Sequence, residues 1–88
     1  MKMTRDTIVK RRDYLIKRQE ELGLSNFEAA DLLGISVRYY ARLKDGTRGQ
    51  YLNTQLILKI CEVFRFGYKE FLVLESNYLK ERLELNNS

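Results

Sequence analysis

Two arginines one helical turn apart are the residues of this sequence with the clearest chemical potential. Arg38 and Arg42 lie in the stretch LLGISVRYYARLKDG, residues 32–46, whose spacing predicts a helix over 37–44. Side chains four residues apart share one face of a helix. A guanidinium can donate two parallel hydrogen bonds to a pair of acceptors such as O6 and N7 of guanine. An ordinary solvated helix face is the alternative interpretation.

The sequence contains few residues of the types that commonly act in catalysis. The 88 residues include no histidine and a single cysteine, Cys61, and no paired carboxylates fall in a predicted pocket. One cysteine excludes an internal disulfide framework, and there is no Cys/His cluster for zinc. We therefore expect no enzyme, no cofactor and no metal. Cys61 is expected to be a small core residue.

The net charge of +4 is distributed unevenly. Residues 1–50 hold 11 basic and 7 acidic side chains, whereas residues 51–88 hold 5 of each. A polyanion is therefore the favoured partner of the first half, with nucleic acid first and an anionic membrane surface second. No apolar run approaches the roughly 18 residues of a membrane span, and the charged N-terminus does not resemble a signal peptide. We expect a cytoplasmic protein.

Local signals predict an all-helical single domain, because the chain has no proline and no runs of β-branched residues. N-cap residues precede three helices, and Gly23, Gly34 and Gly46 are each predicted to end a helix. The caps are Ser25, with Glu28 completing a capping box, Ser36 and Asn53. The predicted helices are about Thr4 or Asp6 to Leu22, 26–33, 37–44, about 54–64, and a fifth from near Gly67 or Tyr68. The tail either extends helix 5 or forms a sixth helix capped by Ser76.

Helical periodicity also predicts which side chains face the core. Tyr40 and Leu43 are the expected inward pair of helix 3. In helix 2 the expected inward residues are Ala29, Ala30, Leu32 and Leu33. In the tail, Tyr78, Leu79 and Leu83 are expected to share one face.

The two short helices 26–33 and 37–44 are separated by only three residues, which is the spacing of a helix-turn-helix. Gly34 can adopt a positive φ and turn the chain. Ile35 is expected to fill the angle between the helices. Ser36 is expected to accept a hydrogen bond from a free amide at the start of the second helix.

This pattern resembles the Cro and phage-repressor (Xre-like) helix-turn-helix DNA-binding domains over about residues 15–72. The matching residues are Leu22, Gly23, Leu24, Ser25, Ala30, Gly34, Ile35, Ser36, Leu43, Asp45, Gly46, Ile60, Cys61, Glu62, Val63, Phe64, Phe71 and Leu72. The resemblance implies a compact five-helix, lambda-repressor-like domain over 1–74. A helical tail, 75–88, follows as a possible dimerisation element. Relatives often pair an arginine with a glutamate where this chain has Gln19 and Lys44.

The resemblance also implies where DNA would be contacted. Helix 3 would lie in the major groove, with base contacts from Val37, Arg38, Tyr39 and Arg42. Phosphate contacts would come from Gln19, Ser25, Asn26, Ser36, Lys44, Asp45 (through its backbone) and Arg48. The basic Lys10, Arg11 and Arg12 are further phosphate candidates or a solvated helix face.

The function implied by the resemblance is sequence-specific binding of double-stranded DNA by a transcriptional regulator. A phage or mobile-element repressor, or a Cro-like protein, located at the nucleoid, fits this expectation. We expect a homodimer through helix 5 and the tail, including Leu85, or else a tail that packs on helix 1. The alternative function is an antitoxin or protein-interaction module. Acidic Glu28 and Asp31 on helix 2 would suit a basic protein partner.

Overall fold

Five helices make up the regular structure of the computed structural model, which describes residues 9–47 and 52–87. They are α1 (Asp13–Leu22), α2 (Asn26–Leu33), α3 (Val37–Asp45), α4 (Thr54–Phe64) and α5 (Tyr68–Asn87). No strand occurs in these two ranges, and the radius of gyration is 13.4 Å. The prediction of a compact, five-helix, all-helical fold is therefore confirmed. None of the helices in these ranges is long and apolar enough to cross a bilayer.

Local side-chain caps set the starts of α2, α3 and α4. The Ser25 hydroxyl accepts from the amide of Glu28 at 3.0 Å, and the Glu28 carboxylate accepts from the amide of Ser25 at 2.8 Å. The side chains of Ser36 and Asn53 each accept a hydrogen bond from the amide three residues later, Tyr39 and Leu56 respectively. Because these signals lie within three residues of each helix start, the predicted bounds 26–33 and 54–64 are confirmed. The third helix ends one residue later than predicted.

The start of α1 differs from the sequence prediction. The helix begins at Asp13, and residues 9–12 are not helical; Thr4 and Asp6 lie outside the described residues. The amide of Arg12 donates to the carbonyl of Lys44 at 2.8 Å, so it bonds to the end of α3. This tertiary bond replaces a helical one, and periodicity alone could not reveal it.

The core lies where α1 to α4 meet, and the first half of α5 covers one side. Tyr40 and Leu43 are fully buried, as predicted. Leu32 is 48% exposed, so its predicted inward position is wrong. The buried side chains of α2 are Ala29, Ala30 and Leu33. At 100° per residue, Leu32 lies about 110° from the centre of that buried face.

Helix α5 runs without a break through the tail, so no sixth helix forms among the described residues. Tyr78 is buried, whereas Leu83 and Leu85 are exposed, so Tyr78 and Leu83 do not share a face as predicted. The Tyr78 hydroxyl donates to the carbonyl of Lys10 at 2.8 Å. The tail therefore packs on the non-helical segment that precedes α1.

Candidate nucleic-acid interface

Helix α3 has one buried side and one exposed side. Tyr40 and Leu43 are completely buried, and the Tyr40 ring meets the Phe64 ring edge-on at 6.3 Å. Val37 and Arg38 are exposed on the other side. Its inner residues therefore anchor the helix, while its N-terminal turn is presented to solvent.

The predicted base-contacting residues lie close together on this outer side. Arg38, Tyr39 and Arg42 line one shallow surface depression together with Ser36. Arg38 is exposed, and Tyr39 and Arg42 are half-buried. Tyr39 also packs partly against the core cluster. The two guanidinium groups are therefore held on one face of α3, one helical turn apart.

A hydrogen-bonded cluster joins the end of α1, the start of α2 and the end of α3. We call the side chains of Gln19, Asn26 and Lys44 the amide bracket. The Lys44 ammonium donates to the side-chain oxygens of Gln19, at 2.9 Å, and Asn26. The Gln19 amide nitrogen donates to the Asn26 side-chain oxygen at 3.0 Å and to the carbonyl of Leu24 at 2.9 Å. The hydroxyl of Tyr40 completes the cluster by donating to Gln19 at 2.7 Å.

Gln19 therefore has an internal role. Its side chain makes four hydrogen bonds, which is the usual capacity of a primary amide, and the residue is only 8% exposed. We exclude Gln19 from the phosphate-contacting residues for this reason. Within the amide bracket, Gln19 and Lys44 are therefore joined by a hydrogen bond between a lysine and a neutral amide, and not by an ion pair.

Lys44 and Asn26 lie at the outer edge of the same cluster. Partial burial lowers the pKa of Lys44, and repulsion from Arg11 lowers it further, against an opposing attraction to Glu20. Lys44 is half-buried and Asn26 is exposed. The Asn26 side-chain oxygen accepts both internal bonds, so its amide nitrogen is the group left to meet an external acceptor.

The other predicted phosphate-contacting residues that the structure describes are exposed, but their side chains already make hydrogen bonds within the protein. The hydroxyls of Ser25 and Ser36 accept bonds from helix amides, and each keeps a proton to donate. The Asp45 carboxylate accepts from the amide of Thr47 at 2.9 Å and from its hydroxyl at 2.7 Å. The Thr47 hydroxyl bond is the main reason that the pKa of Asp45 is lowered. Arg48 lies outside the described residues.

Arg12 is the residue whose position was least predictable from the sequence. The sequence allowed a phosphate contact or a solvated helix face, and both expectations are wrong, because Arg12 is 0% exposed. Its guanidinium forms an ion pair with Glu75 at 2.7 Å. The two residues are 63 positions apart, so no local pattern could have joined them.

Comparisons with models of known families, with curated proteins and with solved structures gave no match for this chain. The function must therefore be inferred from the geometry of α2 and α3. That geometry combines a solvent-facing basic helix with a neighbouring helix start where Ser25 and Asn26 are exposed.

Proposed function

We propose that this protein is a sequence-specific double-stranded DNA-binding regulator that uses α2 and α3 as a helix-turn-helix. In this proposal α3 is the recognition helix, and the fold is of the lambda-repressor type. The observation that carries the proposal is the placement of Arg38 and Arg42 one turn apart on the outer side of α3, while Tyr40 and Leu43 fix its inner side. A phage or mobile-element repressor is the class of regulator that we favour.

The dimensions of α3 support this proposal. An α-helix with its side chains is about 10–12 Å across, which fits a major groove about 12 Å wide, and the nine residues of α3 extend about 13 Å at 1.5 Å each. Either arginine could then bond a guanine in a bidentate way, and Val37 could contact a thymine methyl group. Lys44, in the last turn of α3, is hydrogen-bonded to Asn26 at the start of α2, and both could contact the phosphates that border the groove.

The direct test selects bound duplexes from a random pool and then titrates salt on the selected sequence. We expect one enriched half-site and a linear fall of log K with log salt, with a slope of about −0.9 for each phosphate neutralised. Lys69→Ala is a suitable control for charge alone, because Lys69 is an exposed cation at the start of α5. No enrichment, or no duplex binding at low salt, would contradict the proposal.

A protein-interaction role is the second candidate, and exposed apolar surface on α2 favours it. Phe27 is 70% exposed and Leu32 is 48% exposed, and the acidic Glu28 and Asp31 lie between them in the sequence. Such a face suits a partner with basic and apolar groups, as the toxin of a toxin–antitoxin pair would require. Phe27→Ala would then abolish partner binding, while Arg38→Ala would leave it unchanged.

A further inference from the structure

The C-terminal end of α3 is capped by parts of the chain that lie far away in sequence. The last carbonyls of a helix have no partner within that helix. Here the amide of Arg12 donates to the Lys44 carbonyl at 2.8 Å, and its Nη1 donates to the Leu43 carbonyl at 2.9 Å. Arg82 of α5 donates to the carbonyl of Gly46 at 2.7 Å. The end of α3 is thus held by tertiary bonds.

Arg12 is itself fixed on several sides. Its Nε and Nη2 donate to the two carboxylate oxygens of Glu75 at 3.0 and 2.7 Å. The guanidinium lies 4.5 Å from the centre of the Tyr78 ring. Tyr14 donates its hydroxyl to the same carboxylate. One guanidinium therefore connects α3 to α5 with a defined orientation.

The energetics indicate that this ion pair does more than add stability. Two charges that are removed from water lose favourable hydration energy, and their mutual attraction only partly compensates for this loss. A pair of apolar residues of similar size therefore often gives a protein at least the same stability. Both partners are nearly inaccessible to solvent, with side-chain exposures of 0% for Arg12 and 9% for Glu75. The distinctive contribution of the pair is directional, since its bonds fix the distance and angle between two helices.

Arg18 provides an internal comparison, because it caps the end of α4 in a similar way. Its Nη1 donates to the carbonyls of Phe64 at 2.7 Å and Arg65 at 2.9 Å. Its guanidinium lies 4.3 Å from the centre of the Phe66 ring. Helix α4 carries none of the predicted base-contacting residues. The two arginines therefore make similar contacts on helices with different expected roles.

We propose that Arg12 is a positioning residue for DNA recognition, oriented by Glu75, and that it fixes the angle at which α3 presents Arg38 and Arg42. This inference rests on the proposed function. Bidentate base contacts tolerate errors of only about 0.5 Å and 10–20°. Without the Arg12 side chain, the C-terminal end of α3 loses the bond to the Leu43 carbonyl, while the bonds from the Arg12 amide and Arg82 remain. That end is then held less tightly, and the helix can tilt about its Ser36 cap. The contact made by Arg42, which lies nearer the loosened end, is lost first.

The test uses the triple variant Arg12→Met, Tyr14→Phe, Glu75→Leu, which replaces the buried charges with apolar groups. Tyr14 is included because its hydroxyl would otherwise lose the Glu75 acceptor. The selected duplex and an unrelated duplex are titrated at a temperature where the variant is fully folded. We expect the ratio of specific to non-specific affinity to fall about tenfold, comparable to one mismatched base pair. Non-specific affinity and its salt slope should not change.

Arg18→Met is the matched control, since it removes a similar cap from α4. It should lower the melting temperature without changing the affinity ratio. Arg12→Lys is a second variant in case the triple variant does not fold, because a lysine cannot span Glu75 and the Leu43 carbonyl together. This variant should also lower the ratio of specific to non-specific affinity. A folded variant of Arg12 that keeps the full ratio would overturn the inference.

Amide hydrogen exchange gives a readout that does not depend on DNA. The amides of Gly46 and Thr47 both donate to the carbonyl of Arg42 at the end of α3. In the triple variant their exchange should accelerate about tenfold, while the amide of Ala29 in α2 should not change. Unchanged exchange at Gly46 would show that Arg12 does not fix α3. If the wild-type chain binds no duplex, the proposed function fails, and faster exchange would still establish that Arg12 fixes α3.

Discussion

Arg38 and Arg42 are the side chains on which sequence discrimination should depend most directly. Arg42→Ala should relax preference at a single base pair by about 1–3 kcal/mol, because a bidentate contact to guanine would be lost. The melting temperature should be nearly unchanged, since the side chain lies on the outer side of α3. Duplex selection with both proteins, together with thermal melts, measures the two effects.

The same experiment on Arg38→Ala should affect a different base pair. The control is again Lys69→Ala, which removes one positive charge away from α3 and should leave the preference intact. Unfolding of either arginine variant would contradict the placement of these side chains on the surface.

Gly34 and Gly46 have similar backbone angles but different surroundings. Their φ values are +75° and +88°, and both therefore favour glycine. A Cβ at Gly34 would meet nothing within 4 Å, whereas one at Gly46 would lie 2.1 Å from the Lys10 carbonyl oxygen. Gly34→Ala should cost about 1–2 kcal/mol of unfolding free energy from backbone strain alone. Gly46→Ala should cost above about 4 kcal/mol.

Urea denaturation of both variants checks this difference, and the Gly34 variant serves as the control for strain. Equal losses of unfolding free energy in the two variants would mean that the backbone around Lys10 can move away from the new Cβ without destabilising the protein. The contrast also shows what could not be predicted from the sequence. Both glycines were predicted to end helices, but only the folded structure shows that Gly34 borders open space and that Gly46 borders the backbone of Lys10.

Glu28 links the stability of α2 to pH. Hydrogen bonds from the amide and hydroxyl of Ser25 lower the pKa of the Glu28 carboxyl below its usual value of 4.5. The contribution of its charge to stability is therefore fully present above pH 4.5. It is lost as the pH falls through the lowered pKa, because the folded state then binds the proton that the unfolded state already holds.

Glu28→Gln removes this titration while keeping an acceptor for the Ser25 amide. The wild type should melt at a higher temperature than the variant at pH 6. The difference should shrink steadily as the pH is lowered from 4.5. Parallel melting curves across this range provide the measurement, and a constant difference would mean that the capping box does not depend on the charge.

Helix boundaries could be predicted from the sequence where the residues that determine them lie close together along the chain. The starts of α2, α3 and α4 depend on caps that act across three residues, and the predicted bounds matched closely. The start of α1 depends on Arg12, whose partners Lys44 and Glu75 are distant in the sequence, and that boundary was wrong. The amide bracket was likewise not predicted, since its geometry requires three helix ends to meet.

Across the whole molecule, α5 has an apolar stripe that other helices leave partly open. Leu72 and Leu83 are exposed, and Leu79 is half-buried between them. The 7- and 4-residue spacings place these leucines on one face, as in a helix–helix seam. Together with the one proposed recognition helix per chain, this stripe supports our expectation of a homodimer that spans two half-sites about 34 Å apart.

Leu79→Lys combined with Leu83→Lys should convert the dimer to a folded monomer, because charges cannot be buried unpaired in an apolar seam. Sedimentation equilibrium over a range of concentrations measures the change. Val73→Lys is the matched control, since Val73 is exposed on a different face of α5 and should not affect association. A wild type that is monomeric at every concentration would contradict the dimer.

The non-helical segment before α1 should also limit how far this chain can be trimmed. A protein that begins at Asp13 would retain all five helices. It would lose the Arg12 caps on α3, the Lys10 carbonyl that Tyr78 contacts, and the backbone packed against Gly46. We therefore expect the smallest stably folded unit to begin at or before Lys10, at a boundary set by contacts with α3 and α5 instead of by the first helical turn.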